Sequence, residues 1–236
     1  MLDWNPIAEG VWSASEAGAN KISVYKAAKI LAEKRLWEYA QAHPEIDITT
    51  CQFNLAFHVD LADYILAVNI PAMFGPFSKE FILKPSSTAM TIPYHSLSTN
   101  AYIYQLLNEG KAPSDPYYID VRDVAKAHVL ALKSPLSSED PAVGMKRLIM
   151  SALNSFDLQS LVELVRDRRP ELADRLELIG AADELSPMPF DVKRIEKVLG
   201  VRGRDLFTSF ATTILDTIDS LVELESVWQE KGFVFR

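Results

Sequence analysis

From residue 23 to about 43 Ala, Leu, Glu and Lys dominate, and Ile30, Leu31, Lys34 and Trp37 recur at helical spacing. The pattern predicts a helix that Ser23 can cap and Pro44 ends. Ile46 to Thr50 is β-branched and reads as a strand, and the apolar run Val68 to Phe74 ends in a Gly75-Pro76 turn. Residues 1–21 and 77–97 read as loop-rich, and Pro187-Met188-Pro189 as extended. Ser98, Thr99 and Asn100 offer caps for a helix from Ala101 to Asn108 that Gly110 closes. Tyr117 to Val121 reads as a short strand, followed by a helix from Val124 to Lys133 with Asp123 as its N-cap. Lys146 to Ser151 reads as a further strand and Leu158 to Arg168 as a helix. Asp191 opens a helix from Val192 to Leu199, and one long helix runs from Asp205 to about Lys231, its Leu215, Ile218, Leu221, Val222, Leu224 and Val227 forming a stripe that docks it on the body or, alternatively, pairs with a partner. Strands alternating with helices predict an α/β architecture with a parallel sheet.

Composition narrows the function classes. The chain has 236 residues, 24 Lys+Arg against 32 Asp+Glu and a formal charge of −8, which argues against binding nucleic acid, since phosphate neutralisation needs a basic face. Cys51 is the single cysteine, so no internal disulfide and no cysteine metal cage can form. His43, His58, His95 and His128 lack ligand spacing, and no metal is expected. There is no G-x-S-x-G elbow to support a hydrolase. The first residues, Met1 to Pro6, have neither a basic leader nor an apolar core, and no run of about 18 apolar residues occurs, so the expectation is a cytoplasmic protein with no signal peptide and no membrane span. The nine glycines, at 10, 18, 75, 110, 144, 180, 200, 203 and 232, nowhere form G-x-G-x-x-G or G-x-x-G-x-x-G. A dinucleotide fold uses such a turn to bring backbone against the pyrophosphate.

The sharpest chemical pattern is Tyr25 and Lys29, four apart at the start of the first helix and therefore on one face, a turn from each other. A phenol with a pKa of about 10 is a poor acid at neutral pH, and bringing it to about 7 takes roughly 4 kcal/mol. A nearby ammonium favours the phenolate, and Lys29 together with a cofactor's positive ring could supply that energy. Such a tyrosine can donate a proton to a carbonyl oxygen while hydride arrives at carbon. A solvated helix face would present the same two residues.

The surrounding residues carry a resemblance. Tyr25-Lys26-Ala27-Ala28-Lys29-Ile30-Leu31-Ala32-Glu33-Lys34 resembles the catalytic helix of the short-chain dehydrogenase/reductase superfamily, extended (NAD-dependent epimerase/dehydratase) branch. Asp3-Trp4-Asn5-Pro6 is similar to the loop preceding that helix in dihydroflavonol-reductase-like ketone and aldehyde reductases. Val68 to Pro76 is similar to the family's strand and nicotinamide-side loop, and Tyr118-Ile119-Asp120-Val121-Arg122-Asp123-Val124-Ala125 to its next strand-to-helix corner. The segment Val227 to Phe233 is similar to fungal members. The resemblance implies the C-terminal part of a Rossmann-like doubly wound parallel sheet with a smaller, mostly helical substrate-binding region. Residues 1–76 and 117–144 would be the remnant of the NAD(P)-binding domain, and 77–116 with 145–236 the substrate region. Tyr25 would be the general acid and Lys29 would hold the ribose hydroxyls and lower the tyrosine pKa. Ile70, Pro71 and Ala72 would lie against the nicotinamide. Asp120, Arg122 and Asp123 read as structural. The implied activity is reduction of a small ketone or aldehyde with NADP(H), before NAD(H), and with no metal.

Two departures qualify that expectation. In the family the glycine-rich turn and the catalytic serine precede the Trp-Asn-Pro loop, which here begins at residue 3, and neither Ser13 nor Ser15 occupies the serine's upstream strand end. Removing residues 51–67 joins Thr50 to Val68 and restores one continuous strand and loop, so 51–67 reads as a translated intron, or else as an inserted helix around Leu55 to Leu66. The corresponding expectation is an N-terminally truncated reductase. The alternatives are an inactive fragment acting as an interaction module and, among enzymes, a nucleotide-sugar epimerase or dehydratase.

Overall fold

The computed structural model describes residues 21–53, 72–83, 91–92, 94–110, 117–136, 144–153, 158–176 and 191–235. In chain order the elements are α1 (Lys21–Ala42), β1 (Thr49–Phe53), β2 (Ala72–Phe74), α2 (Lys79–Leu83), β3 (Thr91–Ile92), α3 (Asn100–Glu109), β4 (Tyr118–Asp120), α4 (Val121–Ala131), β5 (Lys146–Met150), α5 (Leu158–Arg168), α6 (Val192–Leu199), α7 (Gly203–Leu206), α8 (Phe210–Glu230) and β6 (Val234–Phe235). Short 3-10 segments stand at Tyr94–Leu97 and Pro170–Arg175. The strands form three parallel pairs, β1 with β5, β2 with β4 and β3 with β6, and this is the α/β arrangement the alternation of elements predicts.

Several boundaries move, each for a local reason. α1 begins at Lys21, so Ser23 lies inside its first turn and does not cap it. β1 begins at Thr49 and runs through Cys51-Gln52-Phe53, the first residues of the 51–67 segment, because Thr49 to Phe53 pairs residue for residue with Lys146 to Met150. The rest of that segment lies outside the described residues. The stretch 77–97, read as loop, contains α2, β3 and a 3-10 turn. The single C-terminal helix is two. Phe207 is extended at φ −94° and ψ 128°, and Ser209 starts α8 afresh, its hydroxyl accepting from the Thr212 N–H at 3.2 Å.

β2 and β4 form a partition between two cores. Strand residues alternate faces, so Ala72, Phe74 and Tyr118 pack with Ile103, Leu107, Leu161, Val165, Ile214, Ile218 and Leu221 from α3, α5 and α8. Met73 and Ile119 face the other way, among Leu148 and Met150 of β5, Ala127 of α4, Ile195 and Val198 of α6 and Leu206 of α7. β5, α6 and α7 pack with β1 and α4.

Candidate active site

α1 carries Tyr25 and Lys29 in its second and third turns. Its height over the strands is fixed by Glu33, whose Oε1 accepts from the Thr50 hydroxyl at 3.0 Å and from Arg147 Nε at 3.1 Å. Thr50 and Arg147 are direct partners in the β1–β5 ladder, so one carboxylate grips two strands at one level. From that level the helix climbs eight residues to Tyr25, about 12 Å at 1.5 Å per residue. β1 climbs three residues to Phe53, about 10 Å at 3.3 Å per residue. The helix ends at Ala42 and the strand starts at Thr49, so a short connection joins them. Ligands of open α/β sheets bind outside the carboxyl ends of the strands.

The second contribution comes from β2. The Ala152 N–H, two residues past the end of β5, donates to the Tyr118 carbonyl at 2.8 Å, and the Ser151 hydroxyl donates to the same oxygen. β4 therefore starts beyond the carboxyl end of β5, and β2 beside it does too. Ala72 heads β2, fully buried, its N–H donating to the Tyr117 carbonyl at 3.0 Å. Tyr25 is described by its backbone only, Lys29 is exposed, and Ile70, Pro71, Ser13 and Ser15 lie outside the described residues.

Beyond Ala72 the backbone is held from α3. Thr99 does not cap its helix with its hydroxyl but donates it to the Met73 carbonyl, while Asn100 Nδ2 donates to the Gly75 carbonyl at 2.9 Å. Sequence reasoning reads both residues only as caps.

The Tyr118 to Ala125 corner corrects one expectation. Asp120, not Asp123, is the N-cap of α4, accepting from the Arg122 N–H at 2.8 Å. The helix starts at Val121, so Asp123 is already inside it. Asp120 is fully buried and also accepts from Arg122 Nε and Nη2 and from the Thr213 hydroxyl of α8. Burial pushes its carboxyl up, but the Arg122 side chain, the Arg122 N–H and Thr213 outweigh this and hold it below the usual carboxylate range. Arg122 reaches on to Asp216 at 2.6 Å. Asp123 instead accepts the N–H and hydroxyl of Thr208, just before α8, and burial keeps its carboxyl above the usual range. The corner is structural, as expected, and ties both cores to α8.

Among the described residues no three His, Cys, Asp or Glu gather as a metal set, and no helix is long and apolar enough to cross a membrane.

In fold and in the order of its motifs the chain is similar to the fungal ketone and aldehyde reductases of the extended short-chain dehydrogenase/reductase family. No family model matches the chain. The ketoreductase azaE of Aspergillus niger is 30% identical over 205 residues, covering 84% of this chain and 51% of the ketoreductase. The NADPH-dependent methylglyoxal reductase GRE2 of Saccharomyces cerevisiae is 26% identical over 229 residues, covering 94% of this chain and 56% of that protein. The chain spans about half the length of these relatives. Its fold is similar to the crystal structure of Candida albicans Gre2 with NADPH (TM-score 0.59, 20% identity, covering 94% of this chain and 56% of that one). It is also similar to yeast methylglyoxal/isovaleraldehyde reductase Gre2 with NADPH (TM-score 0.53, 23% identity, 84% and 55%).

Proposed function

We propose that this chain carries the proton-donating and nicotinamide-side part of an NADPH-dependent reductase acting on a small ketone or aldehyde. The observation that supports the reading is one continuous helix carrying Tyr25 and Lys29 and tied through Glu33 to Thr50 of β1 and Arg147 of β5; its first turns would stand toward the carboxyl end of those strands. Tyr25 would donate its phenolic proton to the carbonyl oxygen of the substrate. Lys29 would hold the ribose hydroxyls and, by its charge, favour the phenolate left behind. Ile70, Pro71 and Ala72 would form the apolar wall against the nicotinamide. The cofactor, when bound, supplies the hydride.

The fit of NADP(H) divides between its two ends. The nicotinamide and ribose end meets a suitable donor set in Tyr25, Lys29 and the Ala72 strand. The pyrophosphate end does not. The closest glycine pair is Gly200 and Gly203, and the Gly203 N–H already donates to Glu196 at 2.7 Å. A Cβ at Gly203 would stand 2.8 Å from Val192 Cγ1, so among the described residues this glycine pair serves helix packing, not a phosphate cradle. The second reading, an interaction module without turnover, needs no such cradle.

The two readings separate on one preparation. NADPH binding is titrated by fluorescence, and NADPH oxidation is followed at 340 nm with methylglyoxal and with an aliphatic ketone. The reductase reading expects saturable binding and turnover that Tyr25→Phe lowers by about 10² to 10⁴-fold, the usual worth of a positioned acid. No binding by the wild-type chain would sink it and leave the interaction module.

A further inference from the structure

We infer that Glu33 is a positioning residue of the site, setting the height and rotation at which α1 presents Tyr25 and Lys29. This rests on the reductase reading above. Tyr25, Lys29, Glu33 and Trp37 follow one another at four-residue steps, the row of neighbours that forms a ridge on a helix. The upper two are the candidate catalytic pair, and the lower two hold the helix down. Trp37 is buried, with its indole N–H directed to Glu33 Oε1 at 3.4 Å. The Glu33 and Arg147 side chains are only 11% and 16% exposed. Besides the bonds from Thr50 and Arg147 Nε, Glu33 takes a second contact from Arg147, Nη2 to Oε2 at 3.4 Å.

Among the described side chains of α1 the buried apolar ones are Ala27, Ile30 and Trp37. Burial is non-directional and by itself defines a helix's position only loosely. Hydrogen bonds weaken steeply outside a narrow range of distance and angle. A carboxylate that receives donors from two paired strands therefore defines one position. A helix is stiff, so what fixes Glu33 also fixes Lys29 about 6 Å and Tyr25 about 12 Å further along the axis. Catalytic groups must be held to within about 0.5 Å of productive geometry.

The control lies at the other end of the same ladder. Lys146 is fully buried at the start of β5, where it pairs with Asp47 and the Ser134 hydroxyl. That ion pair holds the amino end of the sheet, away from Tyr25. The experiment measures NADPH dissociation constant, kcat, KM and melting temperature for the wild-type chain, Glu33→Ala, Glu33→Gln and Asp47→Asn. Glu33→Ala is expected to weaken NADPH at least tenfold and lower kcat with little change in carbonyl KM. Glu33→Gln keeps an acceptor for Thr50 and Arg147 Nε and should stay within about threefold of wild type. Asp47→Asn should lose melting temperature yet bind NADPH within twofold. NADPH affinity that follows melting temperature across all variants, or that is unchanged in Glu33→Ala, would overturn the positioning role while leaving the reductase reading standing. A wild-type chain that binds no NADPH overturns both.

Discussion

Gly75 ends β2 at φ +142°, a backbone conformation that side-chain-bearing residues rarely adopt. A Cβ built there would lie 2.5 Å from Val121 Cγ1, 3.4 Å from Val121 Cβ and 3.5 Å from the Val121 nitrogen. Gly75→Ala therefore meets two separate penalties. Holding alanine in a sparsely populated φ region costs about 1–3 kcal/mol. Forcing a methyl into a filled space costs about 1–3 kcal/mol more. Their sum centres near 4 kcal/mol, and at about 2–4 °C per kcal/mol for a chain of this size the melting temperature should fall by roughly 8–16 °C. The penalties can be separated, because Val121→Ala removes the Cγ1 atom that makes the closest approach but leaves φ unchanged. In a double-mutant cycle read by thermal melts, Gly75→Ala with Val121→Ala should recover about 1–3 kcal/mol relative to the sum of the single changes. The backbone part should persist. A Gly75→Ala melt within 2 °C of wild type on the scale above, or a strictly additive double variant, would refute this account of the turn after Ala72.

Two further outcomes follow from buried titratable groups. Burial pushes the Cys51 thiol up to about 11, and the thiolate is the reactive form. A thiol reagent at pH 8 should thus label the native chain at least 100-fold more slowly than the chain in guanidinium, and equal rates would contradict the packing of β1. For Asp120 the folded-state pKa is lowered, so its stabilisation is present above the unfolded value of about 4 and is lost as pH falls through the folded one. Asp123, raised by burial, acts in the opposite sense, and its contribution is lost as pH rises through its folded value. Asp120→Asn should lower the melting temperature at pH 7 and flatten the decline below pH 4. Parallel melting curves for variant and wild type would count against the buried Arg122 pairing.

What could be read from the sequence was what repeats. Leu158–Arg168 and Val192–Leu199 stand where their periodic apolar residues and the Asp191 cap put them. The parallel pairing was implied by alternation, and the resemblance of Tyr25–Lys34 and Tyr118–Ala125 to known reductases led to the relatives. What could not be read depends on partners distant in sequence. Asp120 and Asp123 both suit an N-cap locally, and the choice falls to Asp120 because Thr213 and Arg122 satisfy it while Thr208 takes Asp123. That same bond helps end α7 and restart α8, which a run of helix-forming residues hides. Ile46 looks like the start of a strand, yet the β1–β5 register begins at Thr49, opposite Lys146.

Glu33 lay in plain view within the resemblance, four residues past Lys29, and a single sequence assigns it nothing because its partners are 17 and 114 residues away. The same holds for Thr99 and Asn100, whose donors reach back 26 and 25 residues to the carbonyls of Met73 and Gly75. Both sets of contacts act where apolar packing leaves a degree of freedom. β2 offers only three residues to its cores, and α1 only three fully buried apolar side chains among those described. Elements so lightly packed are held in one place by directional bonds to their polar atoms. Neither set touches the proposed substrate, yet each fixes one wall of the candidate site, Glu33 the wall that bears the acid and Thr99 with Asn100 the wall beside Ala72.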